Sequence, residues 1–247
     1  MDPITISAAS GLRSRMESLE LLANNLANAE TSGYKTDHPF YGLYTSAEAF
    51  NPLGADTTLP VVERQWTDFS QGTLTSTGSP LDIGLSGPGF LVVNGPSGPL
   101  YTRNGSLKIA PSGELVTGDG YSLRAAGSNG QALRVAGSKP IEISPDGQVR
   151  QDGQDLGKLD LVEFPSTNSL KKLTGAAFQN TDASVVPVPA ANVLVQQGKL
   201  ETSNVTVPDA AMRLVGVMRQ FEMLQKAVSL DSQMNQSALQ EVARVTT

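Results

Sequence analysis

The chain has 247 residues, with 18 Lys and Arg against 24 Asp and Glu, for a formal net charge of -6. That balance argues against binding to nucleic acid or to an anionic membrane surface, since either needs a basic footprint. Cysteine is absent and His38 is the single histidine, which excludes disulfide scaffolds, thiolate metal sites, Fe–S clusters, Cys nucleophiles and two-histidine metal centres.

A hydrophobic content of 39% supports a folded core. No run approaches 18 consecutive apolar residues, so no transmembrane helix is expected. Met1-Asp2-Pro3-Ile4-Thr5 lacks a basic region followed by an apolar stretch, so no cleavable secretory signal is expected. Glycine and proline set the organisation. None falls between Gly11 and Gly33 except at the limits, and none follows Gly216, whereas 15 of the 24 glycines lie between Gly84 and Gly157. Both residues are costly inside helices and useful in turns, so the chain reads as helix, turn-rich β region, helix.

The first helix is expected to start at or soon after Asp2, with Pro3 at the first helical position, and to stop near Asn28. Its apolar stripe is Ala9, Leu12, Met16, Leu19, Ala23 and Leu26, spaced alternately by three and four, with Leu22 widening it. Asn24, Asn25 and Asn28 sit beside that stripe and read either as a helix end that satisfies its own carbonyls or as a polar seam fixing register between packed helices.

Between the ends, Asn104-Gly105, Pro111-Ser112-Gly113, Asp119-Gly120, Pro145-Asp146-Gly147 and Asp152-Gly153 supply turn chemistry. Strands are expected at Phe90–Val93, Leu115–Thr117, Ile141–Ile143 and Lys158–Phe164, the last alternating inward and outward. The final helix opens at Thr206-Val207-Pro208-Asp209, with a hydroxyl cap, a proline in the first turn and an acid three residues after the cap. Its stripe is Ala210, Leu214, Val217, Phe221, Leu224 and Val228. Asp231 interrupts it, and Leu230, Met234, Ala238 and Val242 continue on a shifted face.

Three motifs carry no chemistry. Gly87-Pro88-Gly89-Phe90 lacks the flanking strand, helix and lysine of a phosphate loop and reads as a turn into a core strand. Asp146, Asp152 and Asp155 match no calcium-loop spacing. His38 has no nucleophile elbow nearby and reads as a solvent-facing loop residue. A polysaccharide hydrolase or lyase needs facing carboxylates in an aromatic cleft, and no such pair is evident. A carbohydrate-binding module would account for the β region but not for two terminal stripes. Those stripes leave apolar surface at Leu22, Met218 and Met223 even if the ends pair, so an assembly subunit is expected, with ring or helical packing.

Asn24-Asn25-Leu26-Ala27-Asn28 followed by Thr31-Ser32-Gly33-Tyr34-Lys35 resembles the N-terminal signature of the bacterial flagellar rod and hook protein family. Gly198-Lys199-Leu200-Glu201-Thr202-Ser203-Asn204-Val205 resembles its C-terminal signature. Phe69–Leu74, Thr77–Asp82, Gly89–Val93, Tyr101–Gly105 and Gly113–Val116 resemble the segments between, in the family's order. The resemblance implies an α+β subunit whose terminal amphipathic helices form a coiled-coil-like axial domain around an export channel, with a central all-β domain of short strands further out. Expected bounds are 1–35 for the first axial helix and signature, 36–79 for an extended arm, 80–165 for the β domain, 166–207 for a return arm and 208–247 for the second axial helix.

The implied assembly interface comprises Leu12, Met16, Leu19, Leu22, Leu26, Asn24, Asn25 and Asn28 with Leu214, Val217, Met218, Phe221, Leu224 and Val228. The signature residues are Gly33, Tyr34, Lys35, Gly198, Leu200, Glu201, Ser203, Asn204 and Val205. Implied partners are other rod subunits, further copies of the chain in a helical tube and the flagellar type III export apparatus, with a periplasmic basal-body location and no cleaved signal. No catalytic residue, cofactor, metal, nucleic acid, membrane insertion or small-molecule substrate is implied. Met218-Arg219-Gln220-Phe221-Glu222-Met223 is similar to the proximal rod type, the distal type usually carrying tyrosine where Phe221 stands, and a distal rod subunit of the same family is the alternative.

Overall fold

The computed structural model describes residues 3–45, 58–136 and 139–245. It is a mixed α+β structure with a helix at each end and a β-rich centre. Helix α1 spans Pro3–Ala27 and helix α2 spans Val207–Val245. The expected cap at Asp2 lies outside the described residues, and the side chains of Ala238 and Val242 do too.

The chain divides into two compact units. The first comprises Met1–Ala27, Asp37–Thr67 and Val207–Thr247; the second comprises Asn28–Thr36 and Asp68–Thr206. In the first, strand β1 (Asp37–Thr45) pairs antiparallel with β2 (Thr58–Thr67), with a bulge between Phe40 and Tyr41. Both helices and the hairpin pack in this unit. No described helix is long and apolar enough to cross a membrane.

In the second unit a nine-stranded antiparallel sheet runs through Leu170–Thr174, Ala177–Asn180, Gly98–Thr102, Phe90–Gly95, Ser122–Leu123, Leu115–Thr117 and Leu107–Ile109, with Leu161–Glu163 pairing with both Phe90–Gly95 and Val188–Pro189. Two apolar clusters fill it. One is aliphatic, around Leu85, Leu91, Val93, Leu115 and Val149. The other is aromatic, with Phe90, Tyr101, Phe164 and Phe178 packed edge to face. Gly113, Gly120, Gly147 and Gly153 take positive φ in the turns, the conformation that glycine enters without a Cβ penalty.

Several local expectations need correction. Lys158–Phe164 is not one strand: Gln154–Lys158 and Leu161–Glu163 are separate. Val162 is buried rather than outward, because it packs into the aromatic cluster while Leu159 and Leu161 fill the aliphatic one. Asn104-Gly105 is no hairpin turn. A Cβ at Gly105 would lie 1.8 Å from the Ile83 carbonyl oxygen, so glycine serves close backbone approach there. His38 lies on β1, half-buried and stacked on Trp66 with ring centroids 4.7 Å apart, not on a loop. Asp146, Asp152 and Asp155 pair separately with Lys158, Lys139 and Arg150.

Candidate functional site

Each unit holds part of the sequence-derived site. In the first unit the two helices pack together, and a methyl added at Gly11 would lie 3.7 Å from Leu224 Cδ1. The face of α1 that is buried most deeply is not its apolar stripe. Ser14, Ser18, Leu21 and Asn25 are buried, spaced by four, three and four. Ser18 Oγ folds back on the Ser14 carbonyl at 2.8 Å. Small residues allow close backbone approach, and an internally bonded hydroxyl can be buried.

The expected stripe lies on the other side of α1. Leu12, Leu19, Leu22 and Leu26 are half-buried, Met16 is 51% exposed, and Ala9 and Ala23 are exposed. On α2, Leu214, Val217, Phe221, Leu224 and Val228 are half-buried at alternating spacings of three and four. Met212, Met223, Leu230 and Met234 project from the opposite side of that helix, at 66%, 61%, 57% and 61% exposure. Met218 is also exposed.

The three asparagines divide. Asn24 is exposed. Asn25 pairs with the backbone of Asp37 like an added ladder rung: its Nδ2 donates to the Asp37 carbonyl at 2.7 Å, and the Asp37 N–H donates to its Oδ1 at 3.0 Å. Asn28, at the start of the second unit, accepts from the Thr31 hydroxyl at 3.2 Å.

The second unit gathers the two signatures into one buried polar knot. Strand pairing of Leu74–Ser76 with Lys199–Glu201 sets Glu201 opposite Leu74. The Glu201 carboxylate is fully buried. Its Oε1 accepts from Lys35 Nζ at 2.5 Å and from the Gly72 N–H at 2.9 Å. Its Oε2 accepts from Arg103 Nη1 at 3.0 Å. Lys35 also donates to the Ser70 carbonyl at 2.6 Å, and Arg103 to the carbonyls of Leu85 and Gly87. Burial pushes the Lys35 ammonium and the Arg103 guanidinium below their ordinary pKa values, and Glu201 opposes that shift in both. Such a site persists only because each charge is paired and hydrogen-bonded.

The other signature residues close this knot. Gly33 has φ +69°, and a Cβ there would lie 2.4 Å from the Arg103 carbonyl carbon. Its N–H donates to the Glu201 carbonyl at 2.8 Å. Tyr34 is buried beneath Lys172 Nζ, which stands 3.9 Å from the ring centroid and donates to the Lys35 carbonyl at 2.5 Å. Asn204 uses both ends of its amide. Oδ1 accepts from the N–H and hydroxyl of Thr36, while Nδ2 donates to the Asp68 carbonyl at 2.8 Å and to Ser70. One side chain thus ties together three stretches of the unit, at residues 36, 68 and 204. Ser203 is buried and Oγ accepts from the Val205 N–H, whereas Gly198 turns at φ +75° beside half-buried Leu200.

Sequence reasoning missed Arg103, Ser70, Gly72 and Lys172 as members of this knot. Arg103, Ser70 and Gly72 lie within Tyr101–Gly105 and Phe69–Leu74, stretches that carry the family resemblance as wholes without singling out these residues. Among the described residues no group of acidic or histidine side chains is placed to hold a metal.

Comparison with known proteins matches residues 7–35 to a family described as flagella basal body rod protein, residues 84–151 to the flagellar hook protein FlgE/F/G D1 domain, and residues 196–241 to the flagellar basal body rod FlgEFG protein C-terminal region. Over 97% of its length the chain is 30% identical to the whole of the flagellar basal-body rod protein FlgG of Buchnera aphidicola subsp. Schizaphis graminum. It is 31% identical to FlgG of Agrobacterium fabrum, covering 92% of this chain and 94% of the relative. It is 29% identical to the rod protein FlgF of Caulobacter vibrioides, covering 92% of each chain.

Proposed function

The chain belongs to the flagellar basal-body rod protein family and is a structural subunit of the rod, and from that premise we propose that its terminal helices form the axial interface with neighbouring rod subunits and further copies of itself in a helical tube. Coiled-coil-like packing of α1 and α2 would then stiffen the rod to transmit torque and line the export channel. The observation that carries this reading is the apolar surface left open on both helices: Met16 with half-buried Leu12, Leu19 and Leu26 on α1, and Met212, Met218, Met223, Leu230 and Met234 on α2. Burying a Leu, Phe or Met side chain contributes roughly 1.5–3 kcal/mol, so a few such residues per subunit outweigh surface polar contacts.

We propose the proximal rod position, supported by the resemblance at Phe221, where the distal type usually carries tyrosine; the distal position is the alternative. Passage through the flagellar type III export apparatus to a periplasmic site, without a cleaved signal, and a non-catalytic role follow from the same family reading. The test is incorporation. Leu19→Asp and Phe221→Asp are expected to keep the chain out of isolated basal bodies and to abolish motility, with the second unit still folded by amide exchange. Normal motility with either variant would contradict the interface.

A further inference from the structure

The buried knot places cations and carboxylate on very different parts of the chain. Lys35 and Glu201 are 166 residues apart, and Arg103 and Glu201 are 98 apart. Glu201 is the last of the three in chain order. Without it, Lys35 and Arg103 would sit side by side in a water-poor site, held by backbone carbonyls and, for Arg103, by the Phe90 ring, whose centroid lies 5.6 Å from the guanidinium carbon. Asp68, the next carboxylate near Lys35, is committed to the N–H and hydroxyl of Ser70.

We propose that Glu201 is a closing key for the second unit: the β core settles only when the segment that carries this carboxylate docks, so the chain stays open until nearly all of it is available. The apolar packing agrees, because Val193 and Val195, a few residues before Glu201, complete the aliphatic cluster. The hydrogen bonds agree too, because the Gly72 N–H and the Gly33 N–H both wait for atoms of Glu201. A clamp of neutral side chains would hold the same strands together but would not penalise the half-built state. A buried like-charge pair does, since removing one partner of a buried ion pair leaves an uncompensated charge. The inference concerns the folding of one unit; only its benefit to an exported subunit rests on the rod reading.

The test uses the full chain with Glu201→Met, Lys35→Met and the double variant, read by native-state amide exchange in the core strands Phe90–Gly95 and Leu115–Thr117. Glu201→Met is expected to raise exchange there by about 100-fold or more. Lys35→Met is expected to raise it less, because Glu201 keeps Arg103 and Gly72. The double variant is expected to recover at least about tenfold relative to Glu201→Met, which loss of packing alone would not allow. If Glu201→Met fails to fold, the double variant must still fold. Pulse labelling during refolding of the unmodified chain is expected to protect the core strands no earlier than Lys199–Glu201. Faster exchange confined to the knot, a double variant as open as Glu201→Met, or core protection ahead of Lys199–Glu201 would each overturn the proposal.

Discussion

The two units solve opposite problems. The second buries its apolar residues in two clusters and satisfies a fully buried carboxylate with three donors from within its own fold. The first leaves five methionines about half or more exposed on its helices and keeps its deepest helical face for serine and asparagine. A self-sufficient fold places polar groups inside only when they are paired, whereas a fold meant for assembly keeps apolar surface for a neighbour. The difference therefore separates the part of the chain that specifies its own structure from the part that specifies an assembly.

Substitutions should respect that division, beginning with the most damaging. Gly33→Ala forces a Cβ into the backbone at Arg103 and Asn104 at a positive φ. It is expected to cost the second unit about 3 kcal/mol or more, seen as a lowered denaturant midpoint for that unit. Phe178→Ala opens a cavity in the aromatic cluster and should cost about 3–5 kcal/mol by the same measurement. Asn204→Ala removes an acceptor and a donor that join residues 36, 68 and 204, at about 1–3 kcal/mol, with faster amide exchange at Thr36.

By contrast, Met212→Lys on the exposed side of α2 should change the isolated chain's stability by no more than about 0.5 kcal/mol while impairing incorporation into rods. A comparable loss of stability from Met212→Lys would erase the contrast between the units. The smallest effect concerns pH. The folded Lys35 pKa lies below 10.5, so between that lowered value and 10.5 the unfolded chain binds more protons than the folded one. The stability contributed by this group therefore rises with pH across that window and is flat below it. Unfolding of Lys35→Met followed against pH should lack that rise.

Much of the fold was legible because local chemistry sets it. The scarcity of glycine and proline marked both helices, and Leu115–Thr117 and Ile141–Ile143 have the ends that their patterns required. The pairing of distant charges was not legible. Lys35, Arg103 and Glu201 lie on three separate segments, and nothing local to any of them says which cation a carboxylate will meet. The packed face of α1 was hidden for a different reason. Periodicity detects hydrophobic residues, and Gly11, Ser14 and Ser18 owe their place to small size rather than to hydrophobicity. The apolar stripe it did detect is the side left partly open, where only a neighbour would reveal its use.

Amide hydrogen exchange on the full-length chain at low concentration tests the division between the units most directly. The account predicts fast exchange through α1 and α2, because helices without a complete apolar partner are marginal in water, together with strong protection in Phe90–Gly95, Leu115–Thr117 and Ile141–Ile143. Protection of both helices in a true monomer, equal to that of the β core, would contradict it.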